Sequence, residues 1–161
     1  MNPRLGGILC LAIFICVQLL VSCKDETSPA TLDDLEIRFV SGYIEANLMP
    51  IVPPDPVTCQ VILLAHNRNT TEILTGISIP QADVVLDSSN QRLGTITFST
   101  NWDGRIGPAE QDTVRLTKVI SQTSLFTPPC GKYVYLNVIF KGDQNTSRTF
   151  KTEKLYLGCV Y

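Results

Sequence analysis

An all-β sandwich is the fold class this sequence predicts, and three observations predict it. Apolar and polar residues alternate in short runs. Clusters of Pro, Gly, Asn and Asp separate those runs, and no window carries an apolar stripe at helical spacing. About seven such runs recur at the spacing of a two-sheet domain.

The first run places Leu35, Ile37 and Phe39 on one face, with Glu36 and Arg38 between them. After Ser41-Gly42 the phase changes to Ile44, Ala46 and Leu48, and a slip of one residue is what a β-bulge produces. Residues 49–56 (MPIVPPDP) hold four prolines, which excludes a central strand. Residues 57–66 follow as a strand with Val57, Cys59, Val61, Leu63 and Ala65 inward, and Ile62 and Leu64 on a partly covered outer face. Residues 67–71 are a turn. Strands at 82–86 and 93–98 bracket a hairpin turn at 87–92 (DSSNQR). Residues 101–111 are a loop with the single tryptophan, Trp102, and then Val114, Leu116 and Ile120 share a face. Strands at 133–140 and 150–157 close the domain around a turn at 142–147.

That last hairpin allows a register argument. A turn centred between Asp143 and Asn145 sets Val134 opposite Leu155, Lys132 opposite Leu157 and Cys130 opposite Cys159 at the open end. Near the turn this register pairs Leu136 with Glu153, so a slipped register with Phe140 facing Phe150 suits better. One bulge between Phe150 and Leu155 reconciles the two and moves the buried face from even to odd numbers. Cys130 and Cys159 are therefore the disulfide candidates. Cys59 lies near the start of its strand and remains a competing partner.

The strongest local signal lies at the start. Arg4 is followed by an almost wholly apolar stretch to Leu20, then Val21, Ser22 and Cys23. An apolar core ending in small residues marks a secretory signal. A cysteine after a small residue, with leucine three places before it, resembles the lipobox of bacterial lipoproteins. The resemblance implies cleavage before Cys23 and a diacylglycerol on its thiol, which acyl burial makes a stable membrane anchor. The alternative is an uncleaved span, since the apolar stretch is nearly long enough. The expected organisation is a signal peptide at 1–22, a lipidated cysteine and flexible tether at 23–33, and a β-sandwich at 34–161. Lys24-Asp25-Glu26 resembles the surface-export signal of Bacteroidota lipoproteins; a plain charged tether is the other reading. The expected location is the cell envelope, lipid-anchored at the outer membrane and open to surface display.

The sandwich pattern resembles immunoglobulin-like and fibronectin type III-like domains, most visibly over residues 67–97. The same rhythm is similar to water-stress domains of the late-embryogenesis type. The resemblance implies fold and not activity. Residues 67–71 (NRNTT) sit where chagasin-like protease inhibitors carry Asn-Pro-Thr-Thr, but Arg68-Asn69 interrupts that motif. Asp112-Thr113-Val114 resembles the O-glycosylation sequon of Bacteroidota.

Composition narrows the function. A net charge of −2 with no Lys/Arg stripe excludes nucleic acid as an expected partner. The one histidine, His66, lies at a strand end out of phase with the core, and no nucleophile-elbow sequence accompanies it. Three cysteines beyond residue 23 and one distant histidine lack zinc-site spacing, and Asp103, Glu110 and Asp112 lack EF-hand spacing. No metal and no cofactor are expected. Trp102 is either a stacking platform for a sugar or a cap on the core. The expected function is a non-catalytic binding or structural module with an envelope protein or glycan as partner. A carbohydrate-binding accessory role and a small hydrolase with an unrecognised site are the alternatives.

Overall fold

The computed structural model describes residues 29–48, 57–120 and 129–161. The expected signal at 1–22, Cys23 and the Lys24-Asp25-Glu26 segment lie outside them. Among the described residues there are nine strands: β1 (Leu35–Asn47), β2 (Val57–Asn67), β3 (Ser78–Leu86), β4 (Gln91–Ile96), β5 (Ser99–Thr100), β6 (Gln111–Ile120), β7 (Tyr133–Lys141), β8 (Ser147–Lys151) and β9 (Leu155–Val160). Single 3-10 turns at Leu32–Asp34 and Asp143–Asn145 lie at one end.

One sheet runs β1-β2-β6-β5 and the other β4-β3-β7-β8, and β9 belongs to both. Its first residues continue antiparallel to β7, with Tyr133 opposite Tyr156 and Val134 opposite Leu155. From Leu157 onward it runs parallel to β1, from Ile44 to Asn47. This is the strand order of an immunoglobulin-type sandwich, in which the last strand reaches across to the first. The all-β sandwich is therefore the observed architecture, with more strand segments than the seven runs because short β5 is added and the last run is broken in two.

The core lies between the sheets. Val57, Cys59, Val61, Leu63 and Ala65 of β2, Val114 and Leu116 of β6, and Val134, Leu136, Val138 and Phe140 of β7 all point inward and are buried. Each fully buried side chain of this size stabilises the fold by roughly 1.5–3 kcal/mol before entropy is counted. The β1–β2 register skips Val40, so the phase change in β1 is a bulge one residue before Ser41. Gly42 beside it has no room for a side chain, because a Cβ there would lie 2.9 Å from the Gln60 carbonyl oxygen.

Several boundaries differ from the sequence reading. β3 starts at Ser78, ahead of residue 82, and passes through Pro80. Pro80 fits because β4 pairs β3 only from Ala82 onward and the β3–β7 register is irregular between Ser78 and Gln81. β4 ends at Ile96, and β5 then pairs with Thr117 and Leu116 of β6.

The terminal hairpin has a bulge in the expected interval, but the turn-end register is corrected. Phe140 faces Arg148, not Phe150, and Phe150 faces Val138. The 3-10 turn at Asp143–Asn145 tightens the connection and moves the register the other way. The buried side still passes from Phe150 and Thr152 to Leu155 and Leu157. Thr152 is a buried polar residue at that passage. Its hydroxyl accepts the Leu136 N–H at 2.9 Å and donates to the Glu153 carbonyl at 2.8 Å, so the Leu136 donor keeps a partner at the bulge.

Candidate functional site

β7 turns its odd-numbered residues to the outer face of the β4-β3-β7-β8 sheet, because its even-numbered residues fill the core, and of the odd-numbered set Tyr133 and Lys141 are exposed. Tyr133 is the first of these. Its cross-strand partner Tyr156 lies on the same outer face, and the two rings meet edge to face with centroids 5.5 Å apart at 66°. Both remain open to solvent, at 54% and 57% exposure.

Polar groups surround the pair. The Asp87 N–H donates to the Tyr133 carbonyl at 3.0 Å, so the β3–β4 turn sits beside it. Lys154, from the bulge before β9, reaches Asp87 at 2.8 Å. Tyr135, two residues along β7, is only 6% exposed; its hydroxyl donates to Asn90 Oδ1 at 3.0 Å. The Lys151 ammonium lies 3.7 Å from the centre of the Tyr135 ring, a cation–π contact. The turn, β7 and the β8–β9 bulge thus converge on one patch with two open rings and charges of both signs.

The disulfide closes the same end. Cys130 is joined to Cys159 with their Cα atoms 5.6 Å apart. The Leu157 N–H donates to the Lys132 carbonyl at 2.9 Å and the Gly131 N–H to the Leu157 carbonyl at 3.0 Å, so the register continues from the tyrosines to the bridge. Gly131 turns there with φ +72°. Cys59 is a free, buried thiol two strands away, and burial pushes its pKa up to about 12. It is a core residue with no thiolate at neutral pH.

The remaining sequence candidates separate from this patch. Trp102 is 9% exposed and belongs to the core, so its ring faces are not an open sugar platform and the expected ligand contact there is withdrawn. Its Nε1 is buried without a hydrogen-bond partner. His66 faces Glu36 across β1–β2 at 3.4 Å, in a shallow depression of about 150 Å³ shared with Arg38, Leu64 and Gln111. Asn67 is buried and donates to the carbonyls of Glu72, Ile106 and Gly107, which makes residues 67–71 a structural knot. A second cleft, about 170 Å³, lies at the end of the sandwich where the described chain begins. Leu32, Leu74 and Ile77 line it with Asp143 and Thr146. Among the described residues no cluster of three or more His, Cys, Asp or Glu side chains is placed to hold a metal. No helix among them is long and apolar enough to cross a membrane.

Sequence reasoning missed the tyrosine patch. The alternation in residues 133–140 points to the inward even-numbered residues, and nothing in one strand alone shows which outward residues become neighbours. The signal that finds it is the same register that pairs the cysteines, since Tyr133 and Tyr156 fall opposite each other within it.

No protein-family model and no curated protein matches the chain. Among solved structures it is similar to the apo PmoF2 PCuAC domain, at 13% identity and a TM-score of 0.31, over 78% of this chain and 90% of that one.

Proposed function

We propose that this chain is a lipid-anchored protein of the bacterial cell envelope, whose β-sandwich is a non-catalytic module that binds a partner through the tyrosine patch. The anchor rests on the lipobox-like sequence ending at Cys23, and the outer membrane is the proposed location. Lys24-Asp25-Glu26 supports display on the outer surface.

One observation carries the binding reading: the patch and the tether join opposite ends of the domain. Residues 29–32 border the cleft beside Gly142 and Thr146, at the end of β7 that finishes with Lys141. Tyr133 and Tyr156 lie at the other end of β7, about 26 Å away at the usual rise of a strand. A tether attached at residues 29–32 therefore leaves the tyrosine end of the domain free for a partner. Tyrosine suits this role because its ring offers apolar area at a low entropic cost and its hydroxyl hydrogen-bonds at the rim. The non-catalytic reading rests on the sequence, which has neither a nucleophile elbow nor a histidine with an attendant nucleophile.

Two measurements on the full chain in cells test the proposal. Wild type should incorporate labelled palmitate, and Cys23→Ala should remain an unprocessed, unlabelled precursor; label on the variant would overturn the anchor. A photo-crosslinking residue at position 156 should capture a partner on intact cells, while the same residue at position 43, on the opposite sheet, should not. Equal capture from both positions, or none from either, would overturn the assigned surface.

A further inference from the structure

We draw no further inference here: the strongest candidate, the cleft of about 170 Å³ between Leu32, Leu74, Ile77 and Asp143 at the end of the sandwich where the described chain begins, carries nothing, because its apolar walls belong to the buried core and nothing in the structure shows what fills it.

Discussion

The two outer faces of this sandwich are built by the same alternation, yet they differ in what the register brings together. On the β1-β2-β6 sheet, Arg38 lies opposite Leu64, Ile62 opposite Arg115 and Glu36 opposite His66. Apolar and charged residues are interleaved, so no two aromatic rings meet, and the exposed Tyr43 faces Gln60. On the opposite sheet, Tyr133 lies opposite Tyr156, and Tyr135 packs beneath Lys151. A face becomes a candidate site when cross-strand pairing concentrates one chemistry, because cross-strand neighbours are the unit in which a sheet surface acts.

The comparison can be broken first at the core that both faces share. Leu136→Ala beneath the tyrosine face and Leu116→Ala beneath the other should each cost about 2–5 kcal/mol, since both are fully buried. Urea unfolding checks this. A loss confined to one sheet, seen as two separate transitions, would show that the faces do not share one cooperative core.

The disulfide comes next. Cys130→Ser with Cys159→Ser opens a loop of sequence separation 29 and should cost about 3 kcal/mol. Hydrogen exchange should accelerate around Tyr133 and Tyr156 and stay unchanged in β2 and β6. Non-reducing peptide mapping should recover the Cys130 and Cys159 peptides joined; Cys59 joined to either would refute the pairing.

Thr152→Val isolates the β8–β9 bulge. It leaves the Leu136 N–H without its 2.9 Å acceptor and should cost about 1–3 kcal/mol. An unchanged midpoint in chemical unfolding would mean that the hydroxyl is not what completes the ladder.

Cys59 gives a pH test on the quiet side of the molecule. Folding raises its thiol from 9.0 to about 12 by burial. Below pH 9 the thiol is neutral in both states, and between pH 9 and 12 only the unfolded chain ionises. Stability should therefore fall as pH rises through that window, and Cys59→Ala should flatten the fall. At pH 8 the native thiol should resist alkylation and react only on unfolding; fast labelling of the native chain would contradict its burial.

The smallest effect is the most specific to the comparison. Tyr133→Ala should cost about 0.5–1.5 kcal/mol through loss of the edge-to-face pair. Tyr43→Ala, at an exposed residue that faces Gln60, should stay within about 0.5 kcal/mol. Equal costs would remove the energetic distinction between the faces.

Much of this was legible along the chain. Alternation in β2 names its five inward residues, because a strand turns successive side chains to opposite sides. The phase change at Ser41-Gly42 marks the β1 bulge, and the pairing of Val134 with Leu155 beyond the second bulge continues to Cys130 and Cys159. The Leu20–Cys23 pattern that carries the proposed lipid anchor is likewise read from the sequence alone.

Other features were decided only in three dimensions. Trp102 sits in a loop with no periodicity, so nothing local orients its ring; packing between the sheets places it in the core. The direction of the slip at the terminal turn depended on how Asp143–Asn145 coils, and it set Phe140 against Arg148. The parallel union of β9 with β1 joins residues more than a hundred positions apart, and no spacing encodes it. The tyrosine patch depends on the β7–β9 register, which sets Tyr156 opposite Tyr133 once the bulge before Leu155 is made. Period-two alternation assigns a residue to a face, but strand order and register decide which residues on that face become neighbours.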